Sequence, residues 1–198
     1  LENYHSEVIT EPVEERKKST RSGCLNFAVD TLETVLLALV LFFGINAVSA
    51  RVRVENISMQ PTLHANEFVL VNKLAYKLGQ PQIGDIIIFH YPLDPKEDFV
   101  KRVIGLPGDT VKVEGGTVYV NGHALIEPYI AAKPNYTGTW NVPPDSLFVL
   151  GDNRNQSSDS HSWGFVPMNY VVGKAIVIYW PLNEMQVLEH ATVVSAAQ

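Results

Sequence analysis

The 198-residue sequence predicts a mostly β domain that follows a single apolar helix of bilayer length, and three observations carry that expectation. One uninterrupted apolar run, Val35 to Ile45 (VLLALVLFFGI), precedes everything else with the pattern of folded structure. Beyond Ala50 the chain changes to short segments rich in Val and Ile, the composition of strands on pleated, half-buried surfaces. Gly, Asn, Asp and Pro separate those segments in the combinations that close tight turns.

Ahead of the apolar run stand Glu14, Glu15, Arg16, Lys17 and Lys18 with few large apolar residues, so 1–27 reads as a solvated, disordered tail. The mostly apolar zone, 28–50, matches the ~20 residues a helix needs to cross hydrocarbon. A cleaved export signal is a rival reading, because Val48-Ser49-Ala50 has the small residues of a cleavage site, but its charged leader would be unusually long. A buried core helix is weaker, since an apolar surface all round a long helix needs a large protein to cover it. Arg16, Lys17, Lys18 and Arg21 precede the span, whereas only Arg51 and Arg53 follow closely. The positive-inside rule therefore keeps the N-terminus in the cytoplasm and puts 51–198 across the membrane.

From Arg51 onward the strand-like runs are RVRVEN, EFVLVNKL, DIIIFHY, FVKRVIG, TVKVEG, GTVYVNG, SLFVLGD and VVGKAIVIYW. Glu114-Gly115-Gly116-Thr117 separates two alternating runs and Asn121-Gly122 follows the second, as in a β-meander. Pro128 to Pro144 reads as an irregular surface excursion. The length admits one catalytic unit. A net charge of −6 gives no basic footprint, which argues against a nucleic-acid partner. Cys24 is the single cysteine, so no intrachain disulfide or cysteine-based metal site can form, and an inert Cys24 is the preferred reading. The six histidines are scattered, without the spacing that puts two metal ligands on one helical face.

A serine hydroxyl is a poor nucleophile until a neighbouring base takes its proton, and here the base must be a histidine or a lysine. A lysine qualifies only if burial or a nearby cation lowers its pKa. Lys101 lies in the apolar run Phe99-Val100-Lys101-Arg102-Val103, where alternation turns it away from Val100 and Arg102. The same pattern suits an exposed Lys101–Arg102 pair on an edge strand, and by local physics alone the exposed pair is favoured.

Four segments taken together point further. Ser58-Met59-Gln60-Pro61-Thr62-Leu63, Gly84-Asp85-Ile86-Ile87-Ile88-Phe89, Lys101-Arg102-Val103-Ile104-Gly105-Leu106-Pro107-Gly108-Asp109 and the stretch from Gly151 to Pro167 (GDNRNQSSDSHSWGFVP) stand in this order after the apolar run. In this combination the chain resembles the type I signal peptidases (leader peptidases, peptidase family S26), and its Ser-His-x-Trp-Gly variant resembles the cyanobacterial and plastid members. The resemblance implies a β-rich catalytic domain behind one membrane helix, acting on secretory preproteins with small residues at the first and third positions before the cut. It implies Ser58 as nucleophile, Lys101 as general base and Ser157 as the residue that hydrogen-bonds and orients the lysine. Asp159 would be a structural carboxylate partnered by Arg102 or by position 161, where His161 replaces an arginine common in bacterial members. Asn56 stands where many members have a Ser or Thr that helps the Ser58 N–H bind the oxyanion. Val54, Met59, Leu63 and Val100 would line the substrate pocket, and no metal or cofactor is implied. The membrane would be plasma or thylakoid, with the catalytic domain on the periplasmic or lumenal side.

Overall fold

The computed structural model describes residues 20–188. The expected tail therefore lies outside the described residues except for its end, which is helical: α1 runs Thr20–Val48. Thr20 to Phe27 holds no proline and a single glycine, Gly23, so nothing in it forbids a helix. The expected span of 28–50 shifts accordingly, because Ser49 and Ala50 leave the helix to pair as strand residues with Asn72 and Val71. Over Leu25–Val48 the mean hydropathy is 2.0 and none of the segment is buried, which removes the core-helix reading and leaves a helix apolar and long enough to cross a membrane. Two of its hydroxyls return to the helix backbone, Thr31 Oγ1 donating to the Phe27 carbonyl and Thr34 Oγ1 to the Asp30 carbonyl.

The β unit comprises β1 (Ser49–Arg53), β2 (Phe68–Asn72), the short helix α2 (Ala75–Leu78), β3 (Ile86–Tyr91), β4 (Asp94–Gly105), β5 (Thr110–Glu114), β6 (Thr117–Val120) and β7 (His123–Ala124). It continues with β8 (Gly138–Asn141), β9 (Ser146–Leu150), the single turn α3 (Ser160–Trp163), β10 (Val166–Pro167), β11 (Val171–Trp180) and β12 (Gln186–Val187). Eight strands form the larger sheet, ordered β1-β2-β11-β3-β4-β9-β10 with β12 beside β11, and β7-β6-β5-β8 form the second. All eight runs expected from the sequence are strands. The segment between Pro128 and Pro144 is less irregular than expected, because Gly138–Asn141 pairs with β5 and completes the small sheet.

Three apolar clusters explain this arrangement. Ile86 and Ile88 of β3 face one, with Val69, Val71, Ala175, Met59 and Leu63. Ile87 and Phe89 face the opposite one, with Val103, Val149 and Val166. Strand β3 is covered on both faces, so it reads as a continuous apolar run rather than an alternating one. The third cluster joins the small sheet to β9 through Val111, Val113, Val118 and Phe148. Gly115 and Gly116 take φ of 58° and 75° between β5 and β6, the left-handed conformation that a two-residue hairpin turn requires.

Phe148 is fully buried and packs on Trp140 of β8 at 5.1 Å between ring centroids. Phe148→Ala is expected to cost about 3–5 kcal/mol, measured as a loss of thermal or urea stability in the detergent-solubilised protein.

Candidate active site

The two key residues come from different parts of the large sheet. Ser58 sits in the loop after β1, anchored on either side by Val54, Met59 and Leu63, which are buried in the first cluster. Backbone bonds from Leu63 N to the Met59 carbonyl (2.9 Å) and from Gln60 N to the Ile57 carbonyl (3.1 Å) tighten the loop. Lys101 lies in β4 opposite Ile87 of β3. Strand β4 is an inner strand, flanked by β3 and β9, and this overturns the exposed edge-strand pair: Lys101 is 4% and Arg102 2% exposed. The alternation argument about direction holds, since Val100 packs on the first cluster while Phe99 and Val103 belong to the opposite one.

Lys101 Nζ lies 2.8 Å from Ser58 Oγ and donates to the Val100 carbonyl at 2.9 Å. Burial lowers the Lys101 pKa from 10.5 to about 8, against the opposing pull of the Asp159 and Asp152 carboxylates. A hydroxyl in contact with an amine that titrates this low can pass its proton to that amine in mildly alkaline water. Both residues line a cleft of about 260 Å³ with Val52, Val54, Asn56, Met59, Phe99 and Val100.

Arg102, one residue on, pairs with Asp152 and leaves Asp159 to the other partner expected for it. It forms a two-pronged pair with Asp152, Nε to Oδ1 at 2.8 Å and Nη2 to Oδ2 at 2.6 Å, and also donates to the Gly84 carbonyl. The Tyr129 ring covers its guanidinium at 4.0 Å. A second pair follows, Arg154 to both oxygens of Glu127 at 2.9 and 2.6 Å. Buried charges of this kind persist only when paired and hydrogen-bonded, and each of these is. Sequence reasoning missed Asp152, Glu127, Tyr129 and Arg154 as a network. The carboxylate-guanidinium composition of Asp152-Asn153-Arg154 was a usable signal, whereas Glu127 and Tyr129 stand in a stretch with no local pattern.

Asp159 takes the His161 partner of its two expected ones: its Oδ1 is 2.6 Å from His161 Nδ1, and its Oδ2 accepts from the Gly151 N–H at 2.9 Å. The His161 ring stacks on Tyr136 at 4.1 Å. Ser157 departs from the expected lysine contact. Its Oγ is buried and has no hydrogen-bond partner among the described residues, and Val100 supplies the bond to Lys101 instead. Ser157 is pressed against Gly151, where a Cβ would collide with Ser157 Oγ and with the Ser58 carbonyl. Asn56 is exposed on the cleft wall. Leu63 is fully buried and is not part of the cleft lining, whereas Val54, Met59 and Val100 are. Its backbone faces the turn from Met59, which directs its side chain into the sheet core.

With this geometry in hand, comparison with known proteins is decisive. The family described as signal peptidase, peptidase S26, matches residues 28–180. The chain belongs to that family. It is 45% identical over 167 residues to the signal peptidase I of Leptolyngbya laminosa, covering 79% of this chain and 82% of the relative. It is 42% identical over 184 residues to the probable signal peptidase I-2 of Synechocystis, covering 89% of this chain and 84% of that one. A crystal structure of a signal peptidase I from Enterococcus faecalis aligns with a TM-score of 0.46 and 37% identity, over 48% of this chain and 97% of that chain. The expected resemblance, including its cyanobacterial flavour, is therefore borne out, and the chain is an S26 peptidase with an N-terminal apolar helix.

The buried lysine has a thermodynamic signature. Its pKa is depressed on folding, so between pH 8 and 10.5 the unfolded chain binds more protons than the folded one and stability rises with pH. Below pH 8 the full cost of burying the charge is present. Lys101→Met is expected to be more stable than wild type there, with the gap shrinking by something on the order of 3 kcal/mol as the pH rises through that window, read from melting curves at stepped pH.

Proposed function

We propose that this S26 peptidase is a serine endopeptidase that removes N-terminal signal peptides from exported preproteins, using Ser58 as nucleophile and Lys101 as general base. The observation that carries the reading is the 2.8 Å contact between Ser58 Oγ and the nitrogen of a buried lysine whose pKa falls to about 8. Neutral Lys101 takes the Ser58 proton as Oγ attacks the scissile carbonyl, and the oxyanion forms beside the Ser58 N–H, with the exposed Asn56 amide as a second candidate donor. Collapse breaks the C–N bond, Lys101 returns the proton to the leaving amine, and an ester to Ser58 remains. Water, deprotonated by Lys101, hydrolyses that ester and restores the hydroxyl.

Substrate choice follows from cleft shape. Val54, Met59 and Val100 line the cleft, and apolar walls of this kind suit small side chains at the first and third positions before the cut. An extended substrate would lie beside strand edges. The relatives named signal peptidase I support the preprotein as substrate class. The apolar helix supports a membrane anchor, and the Arg16, Lys17, Lys18 and Arg21 cluster before it supports a cytoplasmic N-terminus with the β domain on the periplasmic or thylakoid-lumen side. Anchoring enzyme and substrate in one membrane raises their effective concentration.

Ser58→Ala and Lys101→Ala are each expected to abolish cleavage of a preprotein carrying an Ala-x-Ala site while the circular dichroism of the β domain is retained; cleavage by either purified variant contradicts the assignment. The wild-type kcat/KM should rise with pH through an apparent pKa near 8, the alkaline form being active.

A further inference from the structure

The loop after β9 does more than carry charges. The carbonyl of Ile57 accepts from Asn153 Nδ2 at 3.2 Å as well as from Gln60 N at 3.1 Å, and the next carbonyl, that of Ser58, accepts from Asn153 N at 3.0 Å. One residue thus grips both carbonyls on either side of the Ser58 amide. The Asn153 side-chain amide is itself set by a bond from Nδ2 to Gln156 Oε1 at 3.1 Å. Gly151 of the same loop is packed so closely on the Ser58 carbonyl that a Cβ would not fit. The loop and the serine backbone are therefore seated on each other without slack.

A trans peptide unit is planar, so fixing the Ile57 carbonyl fixes the direction of the Ser58 N–H on the opposite side of that plane. Donors to the carbonyl also polarise the unit and strengthen its N–H as a donor, because hydrogen bonds in series reinforce one another. We infer that Asn153 is a positioning residue whose side-chain amide aims the Ser58 N–H at the oxyanion formed during attack. The inference rests on the reading of Ser58 as nucleophile. It assigns Asn153 no contact with substrate, and it leaves Lys101 and its proton transfer unaffected.

The test uses the full-length protein in detergent with Asn153→Leu, which keeps the branched shape and loses the donor, and Asn153→Gln, which restores an amide. Expected for Asn153→Leu is a ~10–100-fold fall in kcat with KM within about 2-fold, an unmoved acid limb of the pH profile, and partial recovery in Asn153→Gln. A peptide aldehyde, whose adduct with Ser58 carries an oxyanion, should lose affinity by a similar factor, while the reduced-amide form of the same peptide binds as before. A merely structural role would weaken both ligands alike, and that result, a rise in KM alone, or unchanged kcat overturns the inference. If Asn153→Leu fails to fold, the isosteric Asn153→Asp is measured at a pH where Lys101 is neutral, with the same aldehyde-against-amide split deciding. Ser58→Ala is run alongside: cleavage by it sinks the nucleophile reading, whereas an inactive Ser58→Ala beside a fully active Asn153→Leu sinks this inference alone.

Discussion

The structure turns on the removal of one lysine from water. An ammonium group in the interior of a sheet loses its hydration, and the free energy of that loss is what brings Lys101 to titrate near pH 8. The desolvation exists because β4 is an inner strand: β3 and β9 cover its edges, and apolar clusters lie on both faces of the sheet. A lysine on a sheet edge, in the same sequence context, would keep its water and its ordinary pKa.

The arginines and carboxylates buried around the amine each have a partner. Arg102 is matched by Asp152 and roofed by Tyr129, Arg154 is matched by Glu127, and Asp159 is hydrogen-bonded to the His161 ring and the Gly151 amide. Without these pairs, Arg102 and Arg154 would be charges buried with no partner, a loss that commonly amounts to about 3–5 kcal/mol each. The Asp159 and Asp152 carboxylates pull the Lys101 pKa upward, so the final value is a compromise between burial and the acids that hold the loop together. The loop from Gly151 to Asp159 thereby couples two tasks, fixing the Ser58 backbone and setting the field around Lys101.

The strands were legible because they obey local rules: β-branched runs, glycine turns and a change of pattern at Ala50. The ends of the apolar helix were not, since Ser49 and Ala50 are compatible with helix and strand, and pairing with the distant Val71 and Asn72 decides between them. Strand β8 was missed for the same reason, as Gly138–Asn141 has no strand signal apart from its partner β5. At the site, the motif segments pointed to residues that the fold brings close, Lys101 to Ser58 and His161 to Asp159, but side-chain direction is a tertiary property. Leu63 turns into the core, Ser157 Oγ packs against Gly151, and Arg102 chooses Asp152 over Asp159. Glu127 finds Arg154 across a stretch of chain where no spacing rule operates.

The central claim is the neutral state of a buried amine, and it can be observed without any substrate. Labelling the lysine side chains with 13C at Cε and 15N at Nζ, and assigning Lys101 by comparison with Lys101→Met, gives its titration curve directly by NMR. The account predicts a midpoint near pH 8. A Lys101 midpoint near the ordinary lysine value of 10.5 would contradict it.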